Sequence, residues 1–254
     1  MHIPIPDDHP RKESLLLRDK IAEANQQGLL APVAGIAHGR GEAFDYLLGE
    51  QTSNSARKAI DQAAKLLVKA NKPVLSVNGN TAVLVKDELL LLAKELDCPI
   101  EINIFYRTED RVNKLLKFMS NDMGVTILGA NPDKTIPNLS SERAKTSSKG
   151  IFNADVVFVP LEDGDRCEAL IKMGKKVIAV DLNPFSRTSR TASITIVDNV
   201  TRSVKKLIDD VKKYKNIPKE DIVVEYDNAD YLNGAVTQIQ NRINEFKKNP
   251  TITL

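Results

Sequence analysis

The sequence predicts an α/β fold, a parallel sheet flanked by helices with an N-terminal arm and helix ahead of it. Three observations predict it. Short runs rich in Val and Ile alternate with longer amphipathic segments, the pattern of βαβ units. The chain has 254 residues and is 42% hydrophobic, enough to bury a full core. Polar, Gly-containing turns follow the apolar runs directly, at the edge where open parallel sheets keep their ligand sites. The expected organisation is one domain over residues 1–254, with an arm and helix in 1–30 and a C-terminal helix and tail in 228–254.

The elements follow in order. His2 to Pro10 is rich in Pro and Asp and reads as an extended arm, followed by a helix over 14–26. A helix over 55–70 has the clearest pattern: Ala56, Ile60, Ala63, Leu67 and Ala70 share one face, behind the cap candidates Ser53 and Asn54. Strands are predicted over 74–77, 100–104, 125–128, 155–159, 177–181 and 194–197. Thr108 is a cap candidate for a helix running to Met119 and closed by Gly124, and further helices are predicted over 200–214 and 231–246. Neither an internal repeat nor a low-complexity segment stands out, and the Lys-rich patches near Lys205 and Lys212 read as solvated helix faces.

Composition excludes several function classes. Lys and Arg number 36 against 34 Asp and Glu, a net charge of +2, far from the basic excess of a chain that wraps nucleic acid. Any bound anion should be small and held locally. Cys98 and Cys167 have no metal-site spacing and read as reduced thiols of a cytoplasmic protein. The longest apolar block, Leu89 to Leu92, is too short to span a bilayer, and the N-terminus lacks a signal-peptide apolar region.

Chemistry is expected in the turns after the strands: Asn78-Gly79-Asn80, Tyr106-Arg107-Thr108, Gly129 with Asn131-Pro132, Glu162 to Arg166, and Asn183 to Thr188. In the last, a strand-terminal Asp181 precedes Asn183-Pro184 and Ser186-Arg187-Thr188. Asp181 suits a ribose hydroxyl there, while Arg187 and Thr188 suit phosphate oxygens. The same residues also make an ordinary helix cap. In Ala37-His38-Gly39-Arg40-Gly41-Glu42, two glycines flank an arginine and would let the backbone approach a ligand closely. This is neither a Walker loop nor a G-x-G-x-x-G fingerprint, which argues against P-loop ATPases and against dehydrogenases. His38 suits either a general base or a structural hydrogen bond. Glu162, Asp163 and Asp165 suit either Mg²⁺ ligation or capping of the next helix.

Ile36 to Leu47, read as IAHGRGEAFDYL, resembles a signature of archaeal phosphopantothenate synthetases. SVNGN at 76–80, NIFYRTE at 103–109, VPLEDGDR at 159–166, and DLNP with Ser186-Arg187 at 181–187 resemble the same family in the same order. The resemblance runs from the N-terminal arm to about Asn228 and is weakest in the last helix and tail. It implies a homodimer with a Rossmann-like sheet that joins 4-phosphopantoate to β-alanine, with ATP as co-substrate and Mg²⁺, through an acyl-adenylate. It also implies ATP contacts at Arg18, Arg40, Asp181, Leu182 and Asn183, and at Arg187, Thr188, Asp198, Asn199 and Val200. Arg40 and Arg187 would act on the reacting phosphates. For 4-phosphopantoate the expected residues are Gly79, Asn80, Arg107 and Arg143, since a phosphate plus a carboxylate needs cationic forks and backbone donors. The rival reading is a nucleotide sensor, which needs the pocket after the fifth strand but no second anion site.

Overall fold

A computed structural model describes residues 5–9 and 11–250. The predicted arm is described only over 5–9, which carries a turn; residues 1–4, Pro10 and the tail at 251–254 lie outside the described residues. Helix α1 (Lys12–Gln26) leads to α2 (Ala34–Leu48) and α3 (Asn54–Lys69). Then come β1 (Pro73–Val77), α4 (Gly79–Leu96), β2 (Ile100–Ile102), α5 (Glu109–Phe118) and β3 (Ile127–Leu128). A two-residue ladder, β4 (Lys134–Thr135) with β5 (Lys145–Thr146), interrupts the alternation. The chain continues through β6 (Val156–Pro160), α6 (Gly164–Lys172), β7 (Lys176–Val180), α7 (Arg187–Thr191), β8 (Ile194–Ile196), α8 (Val200–Tyr214) and α9 (Asn228–Lys248).

The six longer-range strands form one sheet in the order β3-β2-β1-β6-β7-β8, with every pair parallel. The order reverses between β1 and β6, so connections on the two sides run to opposite faces and leave a crevice at the carboxyl ends. Both faces are covered. Val156 and Phe158 of β6 join the core beneath α3, α4 and α8, whereas Val157 and Val159 join the core beneath α6.

All six predicted strands are present. The second stops early, at Ile102, because the Asn103 side chain turns away to donate to Arg143 O at 3.1 Å and Lys145 O at 3.0 Å. Helix α3 begins where Ser53 Oγ accepts from Ala56 N at 2.9 Å, and α5 where Thr108 Oγ1 accepts from Arg111 N at 3.2 Å. The glycine-flanked Arg40, for which no element was predicted, lies inside a regular helix, α2. Each glycine disfavours helix by about 1 kcal/mol, but α2 gains packing against α1 and α9 that offsets this. The Asn78-Gly79-Asn80 turn likewise opens directly into α4, with Asn78 Oδ1 accepting from Thr81 N at 3.0 Å.

A buried carboxylate holds the segment after β3. Glu101, in β2, accepts from Thr146 Oγ1 at 2.7 Å, Ser147 N at 3.0 Å and Ile151 N at 2.8 Å. Burial pushes its carboxyl up, against the pull of those donors. A side chain at Gly150 would put a carbon 2.1 Å from Glu101 Oε2, so only glycine admits the carboxylate. This anchorage positions the short 3-10 turn Glu142–Ala144 that carries Arg143.

Asp155 fastens the entry to β1, accepting from Asn71 N at 2.7 Å and Lys72 N at 2.9 Å. Burial raises its pKa, but those amide donors outweigh burial and leave it below 3.8. A depressed carboxyl contributes stability above its unfolded pKa and loses it as pH falls through the folded value. Asp155→Ala should therefore cost about 1 to 2 kcal/mol at pH 7, with the gap closing as pH falls below about 4. Urea denaturation at both pH values checks this; equal midpoints at pH 7 would contradict it.

Candidate functional site

A cleft of about 630 Å³ lies beyond the carboxyl ends of the sheet. Its floor is the turns after β1, β2, β6 and β7, and one wall is α2, from Ala34 through Phe44. Gly41 of α2 faces Leu182, where an added carbon would sit 3.5 Å from Leu182 Cδ1. The cleft therefore runs between a helix wall and a row of strand ends, as the strand order requires.

The turn after β7 is held by its own side chains. Asp181 Oδ1 accepts from Asn183 N at 2.9 Å, and Oδ2 from Ser186 Oγ at 2.5 Å. Burial raises the Asp181 carboxyl, opposed by those donors and by the charge of Arg40 across the cleft. Ser186 Oγ in turn caps α7 by accepting from Ser189 N at 2.9 Å. Asp181 and Ser186 thus act as turn and cap residues while still lining the cleft. Thr188 Oγ1 donates to Glu162 O at 2.8 Å, tying this turn to the one after β6. Arg187 is exposed and paired with Glu168. Its stem crosses Gly164, where a side chain would meet Arg187 Cβ and Cγ at 2.6 Å.

The turn after β6 is held by charge. Arg143 Nη1 donates to Asp163 Oδ2 at 2.6 Å, and its Nη2 pairs with Glu162 Oε1 at 2.9 Å. Arg166, fully buried, pairs with Glu162 and donates to Ser76 Oγ at 3.1 Å. Burial lowers the Arg166 pKa, and Glu162 pulls it back up. Asp163 occupies the N-cap of α6 without a side-chain capping bond, because its carboxylate is committed to Arg143. Glu162 is fully ion-paired and Asp163 is engaged through Oδ2, Asp165 is exposed, and among the described residues no group of three or more His, Cys, Asp or Glu side chains could hold a metal.

Most predicted residues meet in the cleft. Arg40, Asp181, Leu182, Asn183, Arg187 and Thr188 line it, as do Asn199 and Val200 at the start of α8. Gly79, Asn80 and Arg143 line its other half. Three predicted residues do not. Arg18 lies on α1, binding Glu42 with Nε at 2.9 and 3.0 Å and bracing α2 from outside. Asp198 is buried, accepting from Thr52 Oγ1 at 2.7 Å and Arg202 Nε at 2.9 Å. Arg107 turns outward to donate to Gly129 O at 2.6 Å.

Arg111, on the first turn of α5, lines the cleft and was not singled out in the sequence. Its signal was partial: its place on the first turn after the cap Thr108 puts it near the end of β2, but only the docking of α5 decides that it faces the cleft. The exposed Phe105 and Tyr106 beside it pack edge to face at 5.0 Å and belong to the same half. His38 also lines the cleft; its Nε2 is buried without a partner, and burial lowers its pKa, with Glu42 opposing and Arg18 adding to the effect. Both cysteines are buried and unpaired, their thiols pushed up to about 12 by burial and so unreactive. No helix among the described residues is long and apolar enough to cross a membrane.

The sequence profile of a family described as phosphopantothenate/pantothenate synthetase matches residues 55–242. A Thermococcus kodakarensis protein named 4-phosphopantoate–beta-alanine ligase is 49% identical over 243 residues, 94% of this chain and 93% of that protein. A Methanosarcina mazei protein of the same name is 47% identical over 242 residues, 94% of this chain and 95% of its own. One from Methanospirillum hungatei is 48% identical over 200 residues, covering 79% of this chain and 82% of that protein.

Removing one member of a buried charge network strands its partner. Arg166→Met should leave Glu162 short of a cation in the core and cost about 3 to 5 kcal/mol. Chemical denaturation monitored by circular dichroism reads this directly. A loss under about 1 kcal/mol would mean that the network does not hold the turn.

Proposed function

Because the chain belongs to the phosphopantothenate/pantothenate synthetase family, we propose that it joins 4-phosphopantoate to β-alanine at the cost of ATP. The products are 4-phosphopantothenate, AMP and diphosphate, on the route to coenzyme A. The observation that supports this reading most is a single cleft with two cationic halves. Arg40 and Arg187 stand over the β7 turn, and Arg111 and Arg143 stand over β1 and β2. A nucleotide sensor needs only the first half.

In this reading ATP lies along the turn after β7. The ribose hydroxyls approach Asp181, and the phosphates approach the start of α7 and Arg40. Arg40 has no hydrogen bond or ion pair among the described residues and faces the cleft, so its charge is available to an anion. The acid occupies the half over β1 and β2, near Gly79, Asn80 and Arg143. Its carboxylate oxygen attacks the α-phosphorus and the bond to diphosphate breaks, leaving an acyl-adenylate. The neutral amine of β-alanine then attacks the activated carbonyl, loses a proton, and expels AMP. The chain's task is to hold two anions together by positioning and fixed charge, and no covalent enzyme nucleophile is needed.

The described residues do not fit a protein-built magnesium cage, since no three His, Cys, Asp or Glu side chains among them come together and Glu162 is ion-paired in the core. Magnesium therefore enters this reading on the phosphates and water of the nucleotide, with no step assigned to it. We read the chain as one ligase domain, supported by the packing of α9 on α2 and α3, and as a cytoplasmic homodimer. Ile36 and Leu47, both exposed along α2 and outside the cleft lining, would suit a subunit contact.

Single-turnover product analysis should give AMP, formed only when acid, amine and ATP are all present. ADP as the stoichiometric product would overturn the adenylate path. Arg187→Ala should keep the wild-type melting temperature, its side chain being 59% exposed. Its kcat should fall about thirtyfold to a thousandfold, the equivalent of about 2 to 4 kcal/mol of transition-state stabilisation. An unchanged kcat/KM for ATP would leave Arg187 a solvated turn residue.

A further inference from the structure

We propose that Arg111 binds the phosphate of the acid substrate and gives the chain its preference for the phosphorylated over the unphosphorylated acid. The inference rests on the ligase reading and adds the group that would make that choice.

The arginines around the cleft differ in what neutralises them. Arg143 is bound by two carboxylates, and Arg166 shares one of these. Arg187 has Glu168, and Arg107 faces away from the cleft toward Gly129 O. Arg111 has no carboxylate partner among the described residues. Its guanidinium is steadied by uncharged groups, donating through Nη1 to Tyr106 O and reaching Leu29 O at 3.5 Å through Nη2. Its Nε is buried with no partner. Burial alone lowers its pKa, with no nearby acid to offset this. A half-buried cation fixed by carbonyls but not neutralised is disfavoured until an anion arrives, and its fork is already oriented for one.

The surroundings fit a phosphomonoester. Gly79 lies beside the guanidinium: an added carbon there would be 3.7 Å from Arg111 Nη2 and 3.0 Å from Leu30 Cδ2, so glycine keeps this corner open. The first amides of α4, at Gly79 and Asn80, have no intrahelical acceptor and border the same half of the cleft. A phosphate between them and Arg111 receives charge-assisted donors from two sides. The nucleotide phosphates have their own cations, Arg40 and Arg187, across the cleft. What remains at the β2 end is the phosphate on the acid.

The test compares kcat/KM for 4-phosphopantoate and for pantoate at saturating ATP and β-alanine, in wild type, Arg111→Gln, Arg111→Lys and Arg107→Gln. Wild type should prefer the phosphorylated acid. Arg111→Gln should lower that preference by about ten- to a hundredfold, with the loss falling mainly on the phosphorylated acid and the KM for ATP staying within about twofold. Arg111→Lys keeps the charge without the fork and should fall between, and Arg107→Gln should keep the preference. General damage would lower turnover of both acids alike and leave their ratio intact. An unchanged ratio in Arg111→Gln overturns the assignment, as does a ratio lost in Arg107→Gln or a raised KM for ATP in Arg111→Gln. If Arg111→Gln does not fold, Arg111→Lys decides: full retention of the preference overturns the proposal. A wild type that uses both acids equally sinks this inference alone, whereas a wild type that forms AMP with neither sinks the ligase reading.

Discussion

The reversal of strand order between β1 and β6 is the constraint on which the rest depends. Helices cannot cross the same point from both faces, so the carboxyl ends of these two strands are left uncovered. The chain reinforces the gap with local bonds. Asn78 caps α4 with its oxygen and donates through Nδ2 to Leu161 O at 2.6 Å, while the Thr81 hydroxyl donates to Pro160 O at 3.1 Å. Leu161 takes a positive φ of 58°, unusual for a bulky side chain and held by these bonds and by Leu161 N on Val180 O at 3.0 Å. The bend turns Glu162 and Asp163 toward Arg143, and the cleft takes its shape from there.

Charge then divides by function. One group of cations is neutralised by the protein: Arg143 and Arg166 by Glu162 and Asp163, and Arg202 by Asp45 and Asp198. These lock the turns after β6 and β8 to their neighbours. Arg40 and Arg111 line the cleft with no carboxylate bound among the described residues. Buried, compensated arginines such as Arg143 and Arg166 build the walls, while Arg40, Arg111 and the exposed Arg187, whose pairing with Glu168 is open to solvent, are what an anionic substrate meets. A reaction that brings triphosphate, phosphate and carboxylate into one space needs this second kind.

The sheet was legible because both its faces are buried, which writes each strand as a nearly unbroken apolar run such as Val156 to Val159. Caps were legible where the capping side chain does its local work, at Ser53 and Thr108; Asn199, read as a nucleotide contact, also caps α8. Helix α2 was not, because three glycines within AGIAHGRGEAF mask a helix whose stability comes from contacts with α1 and α9. Among site residues, those fixed by a local turn, Asp181 to Thr188, fall in the cleft. Arg107 precedes the cap of α5 and Arg111 lies on its first turn, and which of them faces the cleft depends on how α5 docks on β2. Asp198 and Arg18 brace from behind through partners 146 and 24 residues away, which no local pattern reveals.

The central claim is that one cleft holds nucleotide and acid end to end across the β1–β6 junction. A crystal structure with a non-hydrolysable ATP analogue and 4-phosphopantoate tests it most directly. The account predicts the ribose at Asp181, the phosphate of the acid at Arg111, and the acid's carboxylate meeting the α-phosphate between them. Both ligands on the same side of the junction, or the acid's phosphate at Arg40 and Arg187, would contradict it.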